Sequence, residues 1–429
     1  MKGFIEAIGS MRGFLALHLT QALSSLGSAM TNFALIVWSY QAEGSALTTA
    51  LLSVCSYAPY VLVSIFAGAL SDRWDKRRTM LACDAFAALC SAAVLILMRT
   101  GRLEIWHLYL LNALNGLMNT VQQPAGDVAV TLLTPKKYFQ QASAVRSFTG
   151  SVSSILTPMI ATALITLAGL ETVIIIDLVT FAVAFLTLVF FVRLPEIPSS
   201  EKREGVLKLA MDGLRYLRRN RGIADLIMFL AVINLFASIY NAALPAMMLS
   251  ERGGGEFALG VINTVTGVAM VIGSIIASVW PKPKSRVRVI CNTLLISMST
   301  ENFFLAAGRS LPVWCIGAVL GWLVIPLMNA NMDVLFRSSI PVEMQGRVYS
   351  ARNTFQFFTI PIGYMLGGLL VDRVFEPFIA GCPPESIFVA LFGGVKGSGA
   401  AMLFGIIAVL GMVSCLLFRR DPNIWKLEE

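Results

Sequence analysis

The stretch from Ala46 to Arg99 reads ALTTALLSVCSYAPYVLVSIFAGAL (46–70), SDRWDKRR (71–78) and TMLACDAFAALCSAAVLILMR (79–99). Two apolar runs flank a short basic turn, and each has the roughly 20 residues that an α-helix needs to cross a hydrocarbon core about 30 Å thick. Membrane-barrel strands would instead alternate apolar and polar residues in segments of about ten, a pattern absent here. The stretch is therefore a helical hairpin through a bilayer. The same pattern predicts spans at 11–39, 47–70, 78–98, 104–133, 139–168, 172–193, 223–250, 257–280, 287–307, 311–336, 348–372 and 398–418. The predicted fold class is an all-α membrane protein with twelve transmembrane helices.

Composition agrees. Of 429 residues 56% are hydrophobic and only 14% charged, and the mean hydropathy is +0.74. A soluble surface needs about 25% charged residues, so lipid replaces water over most of the exterior. No small-residue cleavage site follows an early apolar run, so the first span is expected to be retained. Six of the seven cysteines fall inside predicted spans and Cys382 in a loop, which offers no disulfide framework and no metal spacing. His18 and His107 are the only histidines, too sparse for a metal site.

Lys and Arg resist translocation, so their loop distribution reports orientation. With residue 1 in the cytoplasm, inner segments hold 25 basic residues and outer loops six, while Arg146 and Arg352 sit within spans. Both termini are expected on the cytoplasmic side of a cell membrane. The net charge of +8 is scattered among loops beside spans, where anionic lipid headgroups account for it and nucleic acid does not.

The halves repeat. Asp127, Pro135 and Arg146 recur 206 residues later as Asp333, Pro341 and Arg352, and Gly101-Arg102 recurs as Gly308-Arg309. Two pseudo-symmetric six-helix bundles follow, at 1–193 and 223–429. Between them runs a cytoplasmic linker, 194–222, whose residues 206–220 have the pattern of an interfacial amphipathic helix.

The loop from Gly68 to Arg78, G-A-L-S-D-R-W-D-K-R-R, resembles the signature loop of the major facilitator superfamily, and its second-half counterpart, Gly273 to Arg288, keeps the basic loop with Ser278 near the place of the aspartate. The block I-P-V-E-M-Q-G-R-V-Y-S, Ile340 to Ser350, is similar to the helix-ten to helix-eleven connection of that superfamily's drug-efflux branch of macrolide and siderophore exporters. The resemblance covers the whole chain and implies the major facilitator fold, with Gly68, Asp72, Arg73, Lys76, Arg77, Gly346 and Arg347 as gating residues. Span five holds Gly150 and Thr157-Pro158 but lacks the full glycine-rich antiporter motif of many drug exporters. Asp72 is placed to meet the basic cluster and the N-terminus of span eleven, whose dipole favours an anion.

Ionisable groups inside a bilayer are costly and mark function. Asp127 with Arg146, and Asp333 with Arg352, are expected to form ion pairs within each half. Asp84 and Asp333 lie near span ends, six residues past Arg78 and four before Arg337, where snorkelling or interfacial pairing suits them. Asp177 and Glu301 lie nearer the outer surface, where a wet vestibule would suit a proton carrier. In span four, Asn112, Asn115, Asn119 and Gln122 share one helical stripe. With Gln21, Ser25 and Asn32, and with Asn234, Tyr240, Asn241, Asn329 and Asn331, they are candidates to line a cavity, although amides also glue helices together. Trp322, Phe357, Phe358 and Met328 add apolar surface for a bulky amphipathic ligand.

No G-x-x-x-x-G-K-[ST] loop occurs, so a gradient must drive transport. The function expected from the resemblance is a secondary active transporter, a proton-coupled exporter of amphipathic drugs or natural products working by alternating access. The alternative is a permease or lipid flippase of the same fold. A membrane-embedded enzyme would need a nucleophile or metal constellation, and none is found. The expected partners are a small-molecule substrate, protons and membrane lipids, with no cofactor, no metal, no nucleic acid and a monomeric state.

Overall fold

The computed structural model describes residues 10–73, 75–192, 215–340 and 342–428. Without water in the hydrocarbon, every backbone N–H and C=O has to be satisfied within its own segment, and the apolar runs answer with helices. They are α1 (Arg12–Glu43), α2 (Ala46–Arg73), α3 (Lys76–Arg99), α4 (Ile105–Leu133), α7 (Arg221–Met248), α8 (Gly255–Val279), α9 (Arg286–Ala307) and α12 (Ser398–Arg419), with the remaining four spans formed as follows. Phe139–Phe190 is one helical stretch broken at Gly169 (φ 79°, ψ 170°), so it is α5 (139–168) and α6 (170–190). A side chain there would strain the left-handed backbone. The tenth span, α10, is Leu311–Trp322 followed by Ile325–Ser339. The eleventh, α11, runs Val342–Leu369 and continues through a π-helical turn, Leu370–Phe375.

Large apolar side chains such as Leu62, Leu167, Phe190 and Val279 are 70–85% exposed, a surface only lipid can cover. Among the described residues, nine helices are long and apolar enough to cross a membrane. The fold is that of a multi-pass, all-α membrane protein, and span bounds differ from the sequence expectation chiefly at α11. It begins at Val342, not near 348, because no proline falls within 342–347 and Gly346 alone does not stop a helix. Gly346 and Arg347 therefore lie in a helix.

The chain forms two compact units. The first comprises the described residues of Met1–Trp38 and Cys55–Arg203, and the second those of Ser39–Val54 and Glu204–Glu429. The expected boundaries, 1–193 and 223–429, thus differ at 39–54, which is the end of α1, the connecting turn and the start of α2. Polar contacts explain the difference. In the second unit Asp372 accepts hydrogen bonds from Ser45 Oγ (2.6 Å), Ala46 N (3.0 Å) and Leu47 N (2.8 Å), and Tyr40 Oη donates to Ala246 O (2.9 Å). Residues 206–214 of the proposed interfacial helix lie outside the described residues, and 215–219 are helical.

Within the first unit α3 packs on α4 and on the α5–α6 stretch; within the second α7 packs along α11, and α9 along α10 and α12. Close approach of α11 to α7 needs Gly367, where a Cβ would lie 2.7 Å from Ala242 Cβ and 2.9 Å from Ile239 O. In the loop before α8, Arg252 donates to Phe392 O, Ala306 O and Gly308 O. Burial, reinforced by nearby Arg309 and opposed by Glu376, lowers that guanidinium to about 10.

Candidate functional site

The amide stripe of α4 faces a cavity. Asn112, Asn115, Asn119 and Gln122 all line a space of about 650 Å³ in the first unit, joined by His18, Gln21, Ser25, Ser28 and Asn32 of α1, Asp84 and Ser91 of α3, and Asp177 of α6. Helical periodicity collects them, because residues three and four apart share a face. Six amides foreseen from sequence are brought together here.

Three carboxylates line this cavity: Asp127, paired with Arg146, and two that are buried. Asp84 is 2% exposed and Asp177 1%. Gln21 Nε2 donates to Asp84 Oδ2 (2.8 Å) and Gln122 Nε2 to Oδ1 (2.6 Å), so both oxygens are held by neutral amides. Ser28 Oγ donates to Asp177 Oδ1 (3.2 Å) and Ser91 Oγ to Oδ2 (2.9 Å). One expectation needs correction. Asp84 is not an interfacial snorkelling residue, because α3 turns it toward α1 and α4. Asp177 lines the cavity with its oxygens held by serine hydroxyls. Asn115 Oδ1 is buried with no hydrogen-bond partner, an open acceptor in the cavity wall.

The sequence reading missed Asp84 as a cavity acid, along with His18, Ser28 and Ser91. A signal was present, since positions 84, 87, 91 and 94 form one helical face, and all four line the cavity. His18 Nε2 lies 2.8 Å from Thr149 Oγ1, with its ring stacked 5.4 Å from Phe14. His107 closes a capping box with Glu104 at the start of α4.

In the second unit the polar candidates are satisfied separately. Tyr240 Oη (2.6 Å) and Trp322 Nε1 (2.7 Å) both donate to Glu301 Oε1. Glu301 is 3% exposed, and these two residues hold its carboxylate. Asn234 Nδ2 donates across to Gln356 O (3.2 Å) and Asn241 Nδ2 to Ala237 O of its own helix (2.8 Å). Asn329 is exposed and Phe357 half-buried.

Residues 17–364 match the family described as Major Facilitator Superfamily. The chain belongs to this superfamily. It is thus a membrane transporter and not an enzyme. Over 369 residues it is 24% identical to macrolide efflux protein A of Streptococcus pyogenes, covering 84% of this chain and 90% of that protein. It is 24% identical over 381 residues to the enterobactin exporter EntS of Escherichia coli, covering 83% and 81% respectively. Among solved structures, a variant of the nucleoside transporter NupG superposes with a TM-score of 0.72 at 12% identity, over 94% of this chain and 99% of that one.

The superfamily's signature loop is partly resolved into contacts. Asp75 caps α3, accepting from Arg78 N (2.7 Å). Arg77 donates to Leu188 O (3.2 Å) and Val189 O (2.5 Å) at the end of α6, where a cation meets the negative end of the helix dipole. Lys76 is buried. The side chains of Gly68, Asp72, Arg73, Arg337, Gly346 and Arg347 lie outside the described residues, as does the proposed Asp72 latch.

Arg146 Nη2 lies 2.6 Å from Asp127 Oδ1, both about half exposed. The repeat partners do not reproduce this ion pair. Asp333 is exposed, and Arg352 reaches Asn353 Oδ1 at 3.2 Å with its guanidinium 5.2 Å from the centre of the Phe336 ring. Phe336 stands where the first half has Val130, and a cation is drawn to its face.

Proposed function

We propose that this transporter exports amphipathic organic compounds, drugs or natural products, by proton-coupled alternating access. It does so as a monomer in the cell membrane, with both termini in the cytoplasm and its basic loops beside anionic lipid. The observation that carries this reading is the cavity of about 650 Å³, whose amide walls and two buried carboxylates suit a bulky ligand recognised by a few directional contacts. Its similarity to macrolide efflux protein A and to the enterobactin exporter supports the outward direction.

Everted membrane vesicles test it. Respiration acidifies their lumen, and an exporter exchanging protons then accumulates a macrolide, a dye such as ethidium or a catechol siderophore inside. Accumulation that collapses on adding an uncoupler is expected. Uptake by intact cells down the compound's own gradient would instead identify a permease.

A further inference from the structure

Three residues from three helices of the second unit meet in a region the export reading leaves without a task. Glu301 on α9, Tyr240 on α7 and Trp322 on α10 converge on one atom, Glu301 Oε1, at 2.6 and 2.7 Å. Tyr240 is itself fixed by Phe404 of α12, the two ring centres lying 5.4 Å apart.

The second oxygen is treated differently. A Cβ added at Gly321 would lie 2.8 Å from Glu301 Oε2 and 2.7 Å from Glu301 Cβ. Glycine there lets α10 pack directly against the oxygen that neither donor uses. The groups facing Glu301 are neutral. Tyr240 comes from α7 and Trp322 from α10, while the titratable residues of α12, Cys415 and Arg419, lie well over two helical turns beyond Phe404, and α8 carries Glu256 alone at its first turn. A carboxyl group paired with a cation is locked as an ion, whereas one bonded only to neutral donors can gain or lose a proton as its surroundings change.

A hinge adjoins it. Pro326 has no N–H to pair with Trp322 O, and α10 is interrupted at Leu323 and Val324. Trp322 is thus the last residue of its segment, where a small change of helix direction withdraws its indole from Oε1.

Resting on the proton-coupled export reading, we propose that Glu301 is the coupling residue of this transporter, taking up one proton on Oε2 and releasing it when bending of α10 moves Trp322. Tyr240 and Trp322 are positioning residues. The proton enters as H⁺, converts the carboxylate to a neutral acid and leaves to water on the other side of the membrane, so charge and atoms balance over the cycle.

The test uses the purified full chain in proteoliposomes, with ethidium and erythromycin as probes. Wild type is expected to accumulate probe under an imposed pH gradient and to exchange labelled for unlabelled probe without one. Glu301→Gln is expected to keep exchange within about twofold and to lose gradient-driven accumulation by about tenfold or more. Glu301→Asp, which keeps an acid but withdraws it from both donors, is expected to remain coupled with a displaced pH profile. Gradient-driven accumulation retained by Glu301→Gln overturns the assignment, as does a Glu301→Asp profile superimposable on wild type, an outcome independent of whether the Gln variant folds. A wild type that accumulates neither probe under the gradient overturns the export reading itself, a result distinct from either.

Discussion

At the scale of single residues, the two Asp84 oxygens and the Arg77 guanidinium make opposite kinds of contact. Asp84 is the acceptor on which two cavity amides depend. Asp84→Leu strands both amides, and export of a macrolide probe is expected to fall by at least about tenfold, equivalent to 1.4 kcal/mol in the step affected. Asp84→Asn lets the amides flip and re-pair, so it separates loss of charge from loss of hydrogen bonding. Equal export by the Asn variant and wild type would show that the charge is dispensable. Arg77 works within its own unit by closing the end of α6. Arg77→Ala is expected to cost about 1–3 kcal/mol of stability, read as a lower melting temperature in detergent, and Arg77→Lys to recover only part of it because one ammonium cannot reproduce the forked geometry. None of these partners was legible in the chain, since a stripe of amides announces a polar face without saying which neighbour it meets.

Among the helices, breaks and ends matter more than middles. Gly169 at a positive φ turns one long apolar stretch into α5 and α6, and sequence reading found both spans because their summed length exceeds one bilayer crossing. The start of α11 lies about two turns before the apolar run begins, because polar residues remain helical once they leave the hydrocarbon. The N-terminus of α2 is capped by Asp372, a residue more than 300 positions away that accepts from two backbone N–H groups and the Ser45 hydroxyl. Asp372→Ala is expected to destabilise the protein by about 0.5–2 kcal/mol, the usual range for losing a helix cap. Thermal denaturation in detergent checks this. An unchanged melting temperature would mean that water replaces the carboxylate without cost.

For the molecule as a whole, the distribution of basic residues and the cysteine positions give a topology that can be checked directly. Cys382 lies between α11 and α12, half-buried, and the other six cysteines lie within spans. A membrane-impermeant maleimide applied to intact cells is expected to label wild type and not Cys382→Ser, while a fluorescent protein fused after residue 429 is expected to fold in the cytoplasm. Labelling of Cys382 only after the cells are broken would reverse the orientation. The repeat of Asp127, Pro135 and Arg146 by Asp333, Pro341 and Arg352 was readable at 206-residue spacing, yet only the first half forms the ion pair. The helical, membrane-spanning class and the position of nearly every span follow from the order of residues alone. A bilayer sets their length and forbids an unsatisfied backbone, so apolar run length alone decides them. Which carboxylate meets which donor was decided only by the tertiary structure: Asp84 between two glutamines, Asp177 between two serines, Glu301 beneath Tyr240 and Trp322. Helical periodicity gives each side chain a face, but only packing chooses the helix that faces it.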